Sequence, residues 1–276
     1  LTIEITQGIE GAIPIAVIPF ATASGAAPPP ERVARIISAD LRRSGQFEPL
    51  EEENLISQPS APDEVRFQDW RTLGAESLVI GRVETLGNDQ YRVEFRLFDV
   101  LRGRQVAGYS LPANESNMRL VAHHISDIIY EELTGRRGAF ATRIAYVISD
   151  SINGEKEYRL QLADSDGYNP RTLLSSQQPL MSPAWSPDAS RLANVSFEKS
   201  KPAIYVQEIR SGQRKAIASY PGINGSPAGS PDGRKLAMTL SRDGNPEIYS
   251  IELDSGQIRR LTNSSGIDTE PVWSPD

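Results

Sequence analysis

Two histidines, His123 and His124, are the only imidazoles in the chain. A general base or metal ligand of that type must come from them. They are neighbours on a predicted helix, so they point to different faces and cannot share a metal as an i,i+4 pair does. A structural role is expected, one ring meeting solvent and the other the domain surface. Cysteine is absent, which excludes disulfides and thiolate metal sites and suits either the cytoplasm or the periplasm. No Gly-x-Ser-x-Gly nucleophile elbow occurs. Ser196-Phe197-Glu198-Lys199 fits Ser-x-x-Lys only at the end of a predicted strand, where the match carries no chemistry. Asp164-Ser165-Asp166-Gly167-Tyr168-Asn169 resembles a calcium loop, but its glycine is fourth rather than sixth and no glutamate follows at the twelfth position. A hairpin turn is expected there. Asp188, Asp232 and Asp276 each close a Ser-Pro-Asp turn, where a carboxylate that caps backbone is the simplest reading. A channel lined with paired carboxylates, as in some glycosidases, stays open as an alternative. No metal or cofactor is expected.

Those three aspartates are spaced 44 residues apart. Ser182-Pro183-Ala184-Trp185-Ser186-Pro187-Asp188 returns as Ser226-Pro227-Ala228-Gly229-Ser230-Pro231-Asp232, and then as Glu270-Pro271-Val272-Trp273-Ser274-Pro275-Asp276. Leu192 matches Leu236, Ala193 matches Ala237, Tyr205 matches Tyr249, and Ser211-Gly212-Gln213 matches Ser255-Gly256-Gln257 at the same offset. A period of roughly 40–45 residues with strand-like content predicts β-propeller blades. Each period reads as four strands: Pro183–Trp185, Arg191–Phe197, Ala203–Ile209 and Gln213–Ser219 in the first. An earlier, less regular copy spans Arg143–Leu174, where Arg143-Ile144-Ala145-Tyr146 resembles Arg191-Leu192-Ala193-Asn194. From Phe140 to Asp276 there is room for about three blades, whereas closed propellers use about four to eight. The expectation is an incomplete array, cut inside the repeat; completion by a second chain is the lesser alternative. Gly229 takes the place of the repeat's tryptophan.

Residues 1–135 lack the repeat and alternate between helix and strand. Leu1–Thr6 and Ile13–Phe20 read as strands. Glu31–Ser44 places Val33, Ile36, Ile37 and Leu41 at helical spacing. Trp70–Gly74 reads as the end of a short helix. Ser77–Thr85 and Tyr91–Val100 form a hairpin through Gly87-Asn88-Asp89, and Val106–Leu111 adds a strand. Met118–Leu133 is an amphipathic helix that ends near Gly135. The fold class is therefore an α/β N-terminal domain over 1–135, a linker at 136–139, and an all-β propeller over 140–276. The net charge of −7 argues against nucleic acid. The longest apolar candidate for a membrane span, Ala12–Ala23, is interrupted by Pro14 and Pro19. The sequence starts at Leu1 without methionine or a leader, as after removal of a signal peptide or trimming.

More specific features surround the repeat. Leu1-Thr2-Ile3-Glu4-Ile5-Thr6-Gln7-Gly8, Pro14-Ile15-Ala16-Val17-Ile18-Pro19-Phe20, and Ala39-Asp40-Leu41-Arg42-Arg43-Ser44-Gly45 all resemble the TolB family. So do Leu133-Thr134-Gly135, Gly138-Ala139-Phe140, Thr142-Arg143-Ile144-Ala145-Tyr146-Val147 and Gln178-Pro179-Leu180-Met181-Ser182-Pro183-Ala184-Trp185. The resemblance covers the whole chain in order. It implies a six-bladed propeller, of which about half is present, and a non-enzymatic periplasmic role in the Tol-Pal envelope system, supporting outer-membrane integrity and constriction at division. It implies binding of the lipoprotein Pal on one propeller face, through Met181, Ser182, Ile223, Asn224, Ser226, Thr269 and Glu270. It implies binding of TolA through Leu1, Thr2, Ile3, Glu4, Ile5 and Thr6, and capture by some colicins. Some family members carry histidine at the position of Ile223. The competing reading is the propeller of a serine peptidase or carbohydrate-active enzyme.

Overall fold

The computed structural model describes residues 11–22, 31–152 and 154–275. The chain divides into two compact units, Leu1–Thr142 and Arg143–Asp276. The strand expected at Leu1–Thr6 and the third repeat aspartate, Asp276, lie outside the described residues.

The first unit is built on one mixed sheet. Its strands are β1 (Ile13–Val17), β2 (Ala21–Thr22), β3 (Phe47–Pro49), β4 (Ser77–Gly87), β5 (Gln90–Asp99) and β6 (Arg104–Asn114), in spatial order β3-β1-β4-β5-β6 with β2 beside β4. β1 pairs in parallel with β3 and β4, and the β4-β5-β6 ladder is antiparallel. The apolar run from Ile13 divides into β1 and β2 because Pro19, which has no amide hydrogen, falls between them. Strand alternation sends Ile15, Val17, Val79, Val83, Val93, Phe95 and Leu97 to one face. There they meet α1 (Val33–Arg43) and α3 (Met118–Thr134). Ala16, Ile18, Leu78, Ile80 and Phe98 face the other way and enclose Trp70 on the short helix α2 (Phe67–Thr72). α3 ends because Gly135 takes φ +70, and its N–H donates to the Glu131 carbonyl. The segment beyond is tied back: Phe140 and Ala141 N–H donate to the Asp127 carboxylate at 2.6 and 3.1 Å.

The two histidines part company here. His124 is exposed, as expected for one of them. His123 is enclosed, and its Nδ1 lies 2.7 Å from Asp40 Oδ2 on α1. A carboxylate can only accept, so Nδ1 carries the proton. Arg43 donates to the other Asp40 oxygen at 2.7 Å. The buried acid escaped notice because Asp40 lies in a helix that reads as amphipathic, on the face that packs.

The second unit consists of three antiparallel sheets. The first is β7 (Arg143–Ile152), β8 (Glu155–Asp164) and β9 (Arg171–Ser176). The second is β10 (Leu180–Trp185), β11 (Arg191–Ser196), β12 (Ala203–Glu208) and β13 (Arg214–Ala218). The third is β14 (Asn224–Gly229), β15 (Lys235–Leu240), β16 (Glu247–Glu252) and β17 (Ile258–Arg260). Strands β10, β11 and β12 recur 44 residues later as β14, β15 and β16. β7 corresponds to β11, so the first sheet opens at the second strand of the repeat. Asp164–Asn169 is the β8–β9 turn, with Gly167 N–H donating to the Asp164 carbonyl at 2.8 Å.

Ser-Pro-Asp turns set the hairpin geometry. Ser186 Oγ donates to Asp188 at 2.6 Å, Ser190 N–H and Oγ donate to the same carboxylate, and Arg191 N–H donates back to Ser186 Oγ at 2.9 Å. Ser230, Asp232, Arg234 and Lys235 repeat the arrangement. The Ser186 hydroxyl, then Ser190, hold the Asp188 carboxyl far below the usual range, which is the signature of a cap. Sheet faces close the core. Val195, Ile204 and Ala218 of the second sheet join Leu236, Met238 and Leu240 of the third. Leu160 and Leu162 of the first join Leu180 and Leu192 of the second.

Glu247, at the start of β16, is fully enclosed. Thr262 Oγ1, Ser264 N–H and Arg260 Nη2 donate to it at 2.5, 2.8 and 2.9 Å. These bonds fasten the segment after β17 to the third sheet.

Two predictions follow from these buried acids. Asp40→Ala removes the acceptor shared by His123 and Arg43 and is expected to cost about 3–5 kcal/mol in urea unfolding, the usual penalty for breaking a buried pair. A cost within measurement error refutes its role in joining α1 to α3. For Glu247, the Thr262 hydroxyl, and then the other donors, lower the carboxyl pKa. Its stabilisation is therefore complete above the unfolded-state value and is lost as pH falls through the lower folded value. Glu247→Gln should flatten the acid limb of the urea midpoint against pH. An acid limb identical to that of the unmodified chain refutes it.

Candidate protein-docking rim

β10 and β14 are the first strands of their sheets, and they neighbour one another, as β10 does β7. In the next copy of the motif, Trp273 Nε1–H donates to the Ala228 carbonyl of β14 at 2.9 Å. Chain direction places the starts of β10 and β14 at the same end as the β11–β12 and β15–β16 loops. That end carries Met181, Ser182, Ile223, Ser226, Thr269 and Glu270.

Three backbone conformations repeat there. Ser182, Ser226 and Glu270 have φ of +50, +48 and +56, and each precedes a proline. In β10 the pairing runs from Met181↔Val195 to Ala184↔Ala193, so Ser182 and Pro183 oppose one residue of β11. In β14 the same step lies between Gly225 and Ala228. These are β-bulges, and their cause is chemical. Proline has no N–H for the ladder, so pairing must skip it, and the preceding residue turns left-handed to absorb the extra length. Such a conformation costs a non-glycine residue roughly 1–3 kcal/mol, held here by the flanking ladder. The bulge re-aims the side chains before it.

Apolar groups stand at the edge. Met181 is 50% exposed, Ile223 48% and Ile267 72%. Ile223 and Ile267 are repeat equivalents. Ile267 was missed because a single apolar residue in a Ser/Gly-rich stretch gives no periodic signal; its 44-residue offset from Ile223 was the available clue. Ile223 is held rigidly, its N–H donating to Ser241 Oγ at 2.7 Å and its carbonyl accepting from Ser241 N–H at 3.1 Å. Beside it the Arg242 guanidinium lies over the Tyr220 ring at 4.5 Å. Tyr249 donates to Asp243 at 2.7 Å, and this bond lowers the Asp243 pKa. The rim thus joins firm apolar knobs to fixed charges of both signs.

Ser182, Thr269 and Glu270 are exposed and Ser226 half-buried, on the same end as Met181 and Ile223. Asn224 departs from the expected set. It is buried, its Oδ1 accepting from Tyr220 N–H at 2.9 Å and its Nδ2 donating to the Tyr220 carbonyl at 2.7 Å. Its amide is engaged in shaping the loop, so it offers no surface contact. Leu1, Thr2, Ile3, Glu4, Ile5 and Thr6 fall outside the described residues. His123 is buried in the first unit and His124 is exposed with no hydroxyl nucleophile hydrogen-bonded to it among the described residues. Ser196 of the Ser-x-x-Lys match is buried and its Oγ accepts from Glu198 N–H, a turn contact. No helix among the described residues is long and apolar enough to cross a membrane.

Comparison with known proteins agrees with this architecture. Residues 1–106 match the TolB amino-terminal domain, and residues 130–276 match the TolB beta propeller domain. The Tol-Pal system protein TolB of Thioalkalivibrio sulfidiphilus is 54% identical over 224 residues, covering 81% of this chain and 52% of the relative. That of Nitrosococcus oceani is 53% identical over 229 residues, covering 82% and 52%. The crystal structure of TolB from Acinetobacter baumannii superposes with a TM-score of 0.84 at 40% identity, over 96% of this chain and 64% of that one. The chain spans about half the length of the curated relatives it matches. With an amino-terminal domain model, a propeller model and this superposition all in agreement, the chain belongs to the TolB family.

Proposed function

We propose that this chain is part of a non-enzymatic periplasmic scaffold of the Tol-Pal system, which docks Pal on the propeller rim and engages TolA through Leu1–Thr6. The observation that carries the reading is the repeated bulge at Ser182, Ser226 and Glu270, beside which apolar groups stand exposed. Loops set on a rigid sheet are suited to recognition. A preordered surface also loses little entropy on binding. Coupling Pal to TolA in this way would support outer-membrane integrity and constriction at division, and the same rim is the surface a colicin would use. Support for a scaffold over an enzyme comes from the histidines: one is buried against Asp40 and the other stands apart from any nucleophile in the described residues. Leu1, Ile3 and Ile5, on one side of an added strand, would give TolA main-chain pairing and an apolar face.

Met181→Asp and Ile223→Asp should each weaken Pal binding by about tenfold or more, equivalent to at least ~1.4 kcal/mol, in calorimetric titration. Removal of residues 1–6 should abolish TolA binding and leave Pal binding intact or stronger. Wild-type Pal affinity in both rim variants would sink the rim assignment, and unchanged TolA affinity in the shortened chain would sink the strand assignment.

A further inference from the structure

The β15–β16 loop, residues 241–246, is tied down beside two of the rim's apolar side chains. At one end Ser241 bonds both backbone groups of Ile223. Ser241 Oγ also presses against Gly222, whose φ of +84 and lack of room for a Cβ admit only glycine. At the other end the Pro246 carbonyl accepts from Asp268 N–H at 3.0 Å, next to Ile267. The Asn245 amide donates to the carbonyls of Ser264 and Gly266. Arg242 is carried on this loop, and two contacts fix its guanidinium. The group lies over the Tyr220 ring at 4.5 Å, and its Nε donates to Asp243 at 3.4 Å. Asp243 is in turn held by the Tyr249 hydroxyl at 2.7 Å, so the acid stays on the Nε side. Neither Nη nitrogen of Arg242 has a hydrogen-bond partner among the described residues, and the side chain is 32% exposed.

We propose that the Nη edge of Arg242 receives an aspartate or glutamate carboxylate of the protein docked on the rim, which rests on reading that rim as the Pal surface. Three features choose the ligand. The phenol ring covers one face of the guanidinium and Asp243 occupies its Nε, so the open edge is the one that offers two parallel N–H donors. That fork matches the two oxygens of a planar carboxylate, and an ionised acceptor bonds it about twice as strongly as a neutral carbonyl. Asp243 and Glu270 are exposed on the same end, so a multiply charged phosphate is repelled more than a single carboxylate. Ile223 and Ile267, 48% and 72% exposed, flank the loop and call for apolar groups on either side of the incoming acid. Arginine held in place by a ring and an acid loses little side-chain freedom when the partner arrives.

The test is calorimetric titration of Pal into the full chain and two variants, with circular dichroism to check that each is folded. Arg242→Met keeps the stem over Tyr220 and removes the charge; it should weaken Pal by about tenfold or more. Arg242→Lys keeps the charge without the parallel donors and should weaken Pal by about threefold or more. Affinity of the unaltered chain should fall more steeply with salt than that of Arg242→Met. Pal variants with each exposed acid changed to its amide complete the cycle. One of them should bind the unaltered chain about tenfold more weakly, yet bind Arg242→Met as well as unaltered Pal does. Full affinity in Arg242→Met, with Met181→Asp and Ile223→Asp still weakened, overturns the carboxylate site and leaves the rim standing. Full affinity in all three overturns both. Full affinity in Arg242→Lys overturns the two-donor fork. Equal salt slopes, or losses that add to Arg242→Met for every Pal variant, overturn a carboxylate as the ligand.

Discussion

The apolar contact between adjacent sheets is the constraint on which the second unit depends. A four-stranded sheet of strands three to six residues long cannot hide its faces alone. Ala193, Val195 and Ile204 become core only because Leu236, Met238 and Leu240 lie against them. Leu192 becomes core only against Leu160 and Leu162. Stacking sheet on sheet brings their first strands together, and the loops that precede those strands then converge. The rim is a by-product of core formation, and local bonds such as those of Ser241 to Ile223 and of Asn224 to Tyr220 then fix its loops.

Local chemistry refines what packing establishes. Serine and aspartate in the Ser186–Asp188 and Ser230–Asp232 turns fix the start of the second strand. Proline near the start of the first strand forces the bulge. Glu247 gathers three donors and anchors the stretch that leads to Glu270. In the first unit the same division of labour applies. Alternation along β1, β4 and β5 separates two cores, and the Asp40 contacts with His123 and Arg43 add a polar tie between two helices that are otherwise joined by apolar surface.

Much of this was legible in the residue order. The 44-residue offset located the sheets, and Ser-Pro-Asp located the turns, because both follow from short-range rules that repeat. What escaped depends on contacts distant in sequence. Asn224 reads as an exposed loop residue, yet its amide closes the Tyr220–Asn224 loop on itself. Nothing near His123 in sequence reveals its partner Asp40, which lies 83 residues away on another helix. β10 begins at Leu180, three residues before the strand expected from Pro183, because the proline interrupts the ladder without ending it. The site at Ile267 could be seen only by carrying the repeat through a stretch with no other pattern.

The left-handed bulge residues divide the rim into two kinds of position. Where φ is near +50, a branched β-carbon collides with its own backbone, so serine, asparagine, aspartate, glycine or an unbranched residue such as glutamate is admissible and valine or isoleucine is not. Ser182, Ser226 and Glu270 are consequently frozen in shape class, whatever is recognised. Met181 and Ile223 have ordinary backbone and carry no such restriction. Divergence of binding preference among such proteins can therefore proceed at the knobs, while the hinges between them stay chemically conservative.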